Sequence, residues 1–149
     1  MPDGENPYAG LVDIGGTLYG TTYSGGAYYG SRGVACGAGC GIVYSITTSG
    51  NEKVLHSFGK GTDGMEPIGS LIEVRGKLYG TTGIGGTHGA VGGTVFSIST
   101  SGTEKVLHDF AGGSDGSHPN ASLINVAGML YGTTAGGGTG HGTLFALTP

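Results

Sequence analysis

Short runs of alternating apolar and polar residues, separated by glycine-rich segments, fill the chain. In its middle third these runs lie at 70–74, 77–82, 93–100 and 104–110, and they are rich in β-branched, aromatic and leucine residues. Runs of this kind predict short strands, and the glycine-rich segments between them predict turns. No stretch has the apolar spacing of an amphipathic helix. The pattern therefore predicts an all-β fold.

The same pattern occurs three times along the chain. Leu-Tyr-Gly-Thr-Thr stands at 18–22, 78–82 and 130–134, and Val-Leu-His stands at 54–56 and 106–108. An Asp-Gly pair opens each copy at residues 3, 63 and 115. The period is about 52 residues, and the first copy carries an insertion of about eight. Residues 1–149 thus form a single domain of three copies, at about 3–62, 63–114 and 115–149.

Each complete copy contains four predicted strands, which we call a, b, c and d, and the third copy has no strand d. Four antiparallel strands in about 50 residues are typical of a β-propeller blade, for which kelch-type repeats are the nearest common example. A stacked solenoid is the second interpretation. Because propellers have about four to eight blades, three cannot close a ring. We therefore predict a six-bladed ring formed by a homodimer; the alternative is that the chain is a fragment of a longer propeller.

These motifs also resemble a known family. Gly-x-Leu-Tyr-Gly-Thr-Thr, a Gly-Gly loop, Gly-Thr-Val-Phe-Ser-Ile and Leu-His-x-Phe are similar to the Gloeo_Verruco (GloVer) tandem repeat, and the similarity covers essentially the whole chain. The resemblance implies a repeat architecture and a bacterial protein that is exported or lies at the cell surface, and it supplies no catalytic motif. The first copy departs from the family pattern in its insertion, and the third in a shortened loop and an early stop.

Composition and charge exclude several classes of protein. Glycine accounts for 36 residues without a Gly-X-Y period, which excludes collagen and assigns the glycines to turns. A net charge of −4 with scattered basic residues gives no surface for nucleic acid. No apolar run is long enough to span a membrane. The first residues do not begin a signal peptide, so an export signal would lie outside this chain.

Residues that are equivalent in several copies are expected to be structural. This group contains the tyrosines 19, 79 and 131, the phenylalanines 58 and 110, and the histidines 56 and 108 of strand d. The Asp-Gly pairs are expected to form turns.

Strand a is the innermost strand of a propeller blade, so its polar residues are candidates for a site in the channel. Asp13, Glu73 and Asn125 are equivalent positions near the end of this strand. Their oxygens are ligands that calcium prefers, so a channel Ca²⁺ is one hypothesis. The alternative, which we favour, is that they only stabilise the end of strand a.

Loops of variable length gather on one face, which we call the loop face: the b-to-c loops and the connections between copies. Such loops on a rigid scaffold are where binding residues tend to lie. The candidate ligand-binding residues are Tyr23, Tyr28, Tyr29 and Arg32 in the first copy, and the candidate catalytic residues are His88, His118 and His141 in the others. Cys36 and Cys40 favour a disulfide over a zinc site, because the glycines between them allow close approach and no further ligands stand nearby.

Two functions follow from this pattern. The first is an exported module that binds a small molecule, a glycan or a protein on the loop face; the absence of a catalytic motif supports it. The alternative is a Ca²⁺-dependent hydrolase of lactones or esters, in which the metal polarises the carbonyl and one of the three loop histidines acts as base.

Overall fold

The computed structural model describes residues 3–149, so Met1 and Pro2, on which the signal-peptide prediction partly rests, lie outside the described residues. The first copy contains β1 (Gly4–Glu5), β2 (Val12–Ile14), β3 (Thr17–Thr22), β4 (Ser24–Gly25), β5 (Gly30–Ser31), β6 (Val34–Ala35), β7 (Ile42–Thr47) and β8 (Glu52–Ser57). The second contains β9 (Ile72–Val74), β10 (Lys77–Thr82), β11 (Thr94–Ser99) and β12 (Glu104–Asp109). The third contains β13 (Ile124–Val126), β14 (Met129–Thr134) and β15 (Thr143–Leu147).

Each copy forms one main antiparallel sheet. The strand orders are β2-β3-β7-β8, β9-β10-β11-β12 and β13-β14-β15, so the third sheet has three strands. Two small ribbons, β1 with β4 and β5 with β6, lie in the first copy, and short 3₁₀ helices occupy Gly86–Val91 and Gly113–Asp115. The predicted all-β fold is confirmed.

Tight turns join strands a and b in every copy. In the second copy Arg75 and Gly76 both have positive φ, at 54° and 78°. A two-residue hairpin turn with positive φ at both positions matches the twist of its strands and favours glycine. The same backbone recurs at Gly15-Gly16 and Ala127-Gly128, so the turns are a property of the repeat.

The core consists of two clusters, one between each pair of consecutive sheets. In the first cluster the rings of Phe58 and Phe96 lie 5.0 Å apart with their planes steeply inclined, and both are fully buried. In the second cluster Phe110 and Phe145 repeat this arrangement at 5.0 Å. Aromatic pairs prefer this edge-to-face geometry. The sheets therefore pack face against face through the same side chains in each copy.

The first strands of the three sheets are neighbours. β2 contacts β9, and β9 contacts β13. Just before these strands the Gly10 N–H donates to Ser70 Oγ at 2.8 Å, and the Ser70 N–H donates to Ser122 Oγ at 2.9 Å. Residues 10, 70 and 122 are equivalent positions, so one hydrogen bond type links each copy to the next along this edge.

Candidate functional site

The histidines of strand d form hydrogen bonds that hold consecutive copies together. Asp63 Oδ2 accepts a hydrogen bond from His56 Nε2 at 2.9 Å, and Asp63 Oδ1 accepts one from the Gly59 N–H at 3.1 Å. Asp115 forms the equivalent 2.9 Å bond with His108. Asp63 and Asp115 thus each fix the strand d that precedes them and the turn that follows that strand. These bonds give both residue types a structural role.

The candidate calcium ligands stabilise turns. Asp13 Oδ1 accepts from the Gly16 N–H at 2.8 Å, and Asn125 Oδ1 accepts from the Gly128 N–H at 3.0 Å. Glu73 Oε1 accepts from the Gly76 N–H in the same way. Each side chain therefore bonds the a-to-b turn of its own copy. Within residues 3–149 there is no group of three or more His, Cys, Asp or Glu side chains placed to hold a metal ion.

The insertion of the first copy contains the β5–β6 hairpin, and a short loop closed by a disulfide follows it directly. Cys36 and Cys40 are joined, and their Cα atoms lie 5.2 Å apart. Arg32 lies at the exposed tip of the β5–β6 hairpin, where it has a positive φ of 50°. Val34 of this hairpin packs against the core between the first and second sheets. The insertion thus covers part of that junction on the loop face.

The four predicted ligand-binding residues do not form one cluster. Tyr28 is half-buried, with Lys60 Nζ 5.8 Å from the centre of its ring, and together with His56 it lines a shallow depression beside β8. Tyr29 is exposed, and its backbone carbonyl accepts from the Cys36 N–H at 2.9 Å. Tyr23 lies at the junction of the first two copies.

Tyr23 forms a polar contact between the first two copies on the loop face. Its hydroxyl donates to Glu66 Oε2 at 2.7 Å. This hydrogen bond, together with burial and the negative charge of Glu66, raises the pKa of Tyr23 to about 12. The ring of Tyr8 lies 5.8 Å from that of Tyr23 at an interplanar angle of 53°, and Tyr8 is largely exposed. Two tyrosine rings and one carboxylate therefore lie together at this junction.

Sequence reasoning missed Tyr8 and Glu66. The backbone at residue 66 has a positive φ of 59°, and the equivalent residues Asn6 and His118 have φ of 59° and 56°. A non-glycine residue rarely adopts this conformation. The sequence signal for this position is the variation of its side chain, which is asparagine, glutamate or histidine in the three copies. The backbone conformation is the same in all three, so only the side chain differs.

The three candidate catalytic histidines lie in different surroundings. His118 lies at the junction of the second and third copies, and its Nε2 is 3.1 Å from the Ala90 carbonyl. His88 is exposed, with Nδ1 3.1 Å from Thr87 Oγ1. His141 is exposed in the last b-to-c loop. The structure does not gather them around a common centre.

One half-buried carboxylate, that of Glu104, lies beside the His56–Asp63 pair. Burial raises the pKa of Glu104 to about 7; the charge of His56 opposes this shift and that of Asp63 adds to it. Glu104 Oε1 has no hydrogen-bond partner among residues 3–149. This acid is poised to change its charge near neutral pH.

These features define a class of protein: an all-β tandem-repeat protein whose polar contacts mostly stabilise turns and junctions, with one aromatic and acidic cluster open to solvent. The whole chain, residues 1–149, matches the Gloeobacter/Verrucomicrobia repeat. The chain therefore belongs to this repeat family. No curated protein and no solved structure matches it significantly. Within the part of the chain that the structure describes, no helix is long and apolar enough to cross a membrane.

Proposed function

We propose that the chain is a non-catalytic binding module, built as an arc of propeller blades, that binds a carbohydrate on its loop face. The contacts of β2 with β9 and of β9 with β13 support the arc. In a propeller the blades stack face to face around an axis, and their first strands lie next to each other near that axis. A second copy would complete a six-bladed ring. Export is supported by the disulfide, since such bonds persist in oxidising compartments.

The cluster of Tyr8, Tyr23 and Glu66 carries the proposal of a carbohydrate ligand. Tyrosine rings offer apolar area with a polar edge, which suits the C–H faces and hydroxyls of a sugar ring. The Glu66 carboxylate has a second oxygen to accept from sugar hydroxyls, since the Tyr23 hydrogen bond occupies only Oε2. Sites for small ligands typically combine aromatic side chains with a small number of polar groups.

Titration of the protein with a panel of oligosaccharides in a calorimeter tests this proposal. We expect at least one member to bind, and we expect Tyr8→Ala and Glu66→Gln to weaken that binding about tenfold or more, as loss of an aromatic or charged contact does. Tyr29→Ala is the matched control, because it removes an exposed tyrosine of the same face outside the cluster. Failure of every sugar to bind, or equal losses in all three variants, would refute the proposal.

Calcium-dependent hydrolysis stays the alternative. It requires Asp13, Glu73 and Asn125 to exchange their turn hydrogen bonds for a metal. Titration with Ca²⁺ and an assay with a lactone and a nitrophenyl ester, each with and without chelator, distinguish the two functions. Chelator-sensitive turnover that is lost in Asp13→Ala would favour the hydrolase.

A further inference from the structure

The first sheet exposes apolar residues whose counterparts in the other copies are buried. Leu11 is 51% exposed, whereas the equivalent Leu71 and Leu123 are 4% and 1% exposed. Those two leucines are covered by the sheet of the preceding copy, with which they share a core cluster. Leu18 and Ile46, on the same face as Leu11, are only partly buried. We call this surface the leading face.

The third sheet exposes the opposite half of the same interface. Leu144 is 75% exposed, whereas the equivalent Val43 and Val95 are fully buried. Val126 is also exposed, although its counterpart Val74 is buried. In the other two copies these positions are covered by the sheet that follows. We call this surface the trailing face.

Within the chain, trailing and leading faces already pack against each other twice. Val43 of the first sheet and Leu71 of the second belong to one core cluster, and Val95 and Leu123 belong to the other. The exposed Leu144 and Leu11 are the two halves of a third interface of this kind. Large exposed apolar faces mark interaction sites, and here the complementary surface is present on the same molecule.

We propose that the trailing face of one chain docks on the leading face of a second copy, and that two such contacts close a dimer. The inference rests on the proposed arc of blades, because a head-to-tail contact closes after two chains only if each chain spans half a turn. Each contact reproduces the internal sheet-to-sheet packing. The partner is thus a second copy of this chain.

The leading face differs from the internal interfaces at two positions. Tyr44 stands where Phe96 and Phe145 accept the ring of Phe58 or Phe110. At the seam Tyr44 would lie against the trailing face of the second copy. Burial of the phenol raises the pKa of Tyr44.

The second difference is a missing hydroxyl. The Ser122 N–H has no hydrogen-bond partner among residues 3–149, and at the seam it meets Gly10 of the second copy. Its counterparts donate to Ser70 and Ser122 hydroxyls. Gly10 has an ordinary φ, and its nearest neighbour at the Cβ position is Ser70 Oγ at 3.3 Å, so a serine fits there with a slight adjustment.

Sedimentation of charge variants tests the docking. We expect the wild type to be a dimer, and we expect Leu11→Asp and Leu144→Asp each to be folded monomers, because either change places a charge in both seams. When the two variants are mixed, the unaltered trailing face of Leu11→Asp can dock on the unaltered leading face of Leu144→Asp. We therefore expect dimers to form in the mixture through this one seam. The control is Val91→Asp, which stays dimeric; Val91 is a comparably exposed apolar residue at the end of the 3₁₀ helix of the second copy.

The alternative assemblies give different results. A symmetric contact between two trailing faces would leave Leu11→Asp dimeric, and an open filament would grow without limit as concentration rises; either result overturns the proposal. A wild type that stays monomeric into the millimolar range also overturns it. Sugar titration of the same samples separates this outcome from failure of the binding function, since a monomer that binds sugar refutes only the assembly.

A gain-of-function variant tests the missing hydroxyl. Gly10→Ser should restore the acceptor for Ser122 and tighten the dimer about 2- to 10-fold per seam, the effect of one net hydrogen bond. Gly37→Ser is the control, since Gly37 is exposed and has open space around it. Equal dissociation constants for Gly10→Ser and the wild type would refute this part of the seam.

Discussion

At the scale of single residues, Asp63 and Asp115 form a matched pair. Both accept a 2.9 Å hydrogen bond from a strand d histidine, but Asp63 is buried and the Asp115 side chain is 37% exposed. Removing Asp63 takes the partner from the part-buried His56 and one of two acceptors from the buried Gly59 N–H, which keeps only the Gly64 carbonyl at 3.0 Å. Water can replace the more exposed Asp115. We expect Asp63→Ala to cost about 2–3 kcal/mol and Asp115→Ala about 1 kcal/mol. Urea unfolding measures both, and equal losses would contradict the burial argument.

Glu104 predicts how stability changes with pH. Its pKa is about 7 in the folded protein and 4.5 for the ordinary carboxyl, so the folded state holds the proton more tightly. Its contribution to stability is therefore present below about pH 4.5 and is lost as pH rises through 7. Glu104→Gln should remove this decline and stabilise the protein by about 1 kcal/mol at pH 8, a figure reduced for its partial exposure.

The pH prediction has a matched control in the first copy. Glu52 is the equivalent residue; burial and the neighbouring Asp3 raise its pKa too, but the side chain is more exposed. Glu52→Gln should therefore change the free energy of unfolding in the same direction by less. Thermal unfolding between pH 4 and 9 gives the comparison. A flat profile for the wild type would contradict the prediction.

At the scale of strands and turns, most of the fold could be predicted from the sequence. β10 has the predicted bounds 77–82, and the other strands of the second copy differ by at most two residues. The alternation of apolar and polar residues is a local signal, and so are the glycines of the tight turns. Both can therefore be recognised without knowledge of the tertiary structure. The 3₁₀ helix at Gly86–Val91 and the β5–β6 hairpin were missed, because glycine-rich segments have no periodicity to detect.

Side-chain partners were harder to predict than elements. The Cys36–Cys40 disulfide joins residues four apart, and short spacing with glycines suffices to predict it. The Tyr23–Glu66 hydrogen bond spans 43 residues, and it depends on how two sheets meet. No local pattern contains that information.

The disulfide should contribute modestly to stability. In the chain-entropy description, closing so short a loop stabilises the folded state by about 2 kcal/mol. We expect the variant with both cysteines replaced by alanine to remain folded but to unfold at lower urea concentration. The variant should stay folded because the hairpin also packs through Val34. Reductant should lower the urea midpoint of the wild type and leave the midpoint of the variant unchanged, because only the wild type has the disulfide. Equal effects of reductant on both would contradict this role.

At the scale of the whole molecule, the repeat predicts the number of sheets, while the arrangement of the sheets emerges only from burial. The sequence shows that Leu11, Leu71 and Leu123 are equivalent, but it does not show that one of them is uncovered. Equivalent residues in unequal surroundings reveal which faces of the chain lack a neighbour. This contrast separates a residue's role in the repeat from its role in the assembly.

The same contrast gives a prediction in which one substitution has two different costs. Leu71→Ala opens a cavity between two sheets of the same chain, so it should cost about 3 kcal/mol at any protein concentration. Leu11→Ala removes a leucine that only a second copy covers. In dilute protein Leu11→Ala should lower the free energy of unfolding by less than about 0.5 kcal/mol. The difference from the wild type should grow with protein concentration, because the wild type forms the dimer more tightly and gains more stability from association. Thermal unfolding across a concentration series measures both. If Leu11→Ala were as costly as Leu71→Ala at the lowest concentration, the leading face would already be covered within the single chain, and no second copy would be needed to explain it.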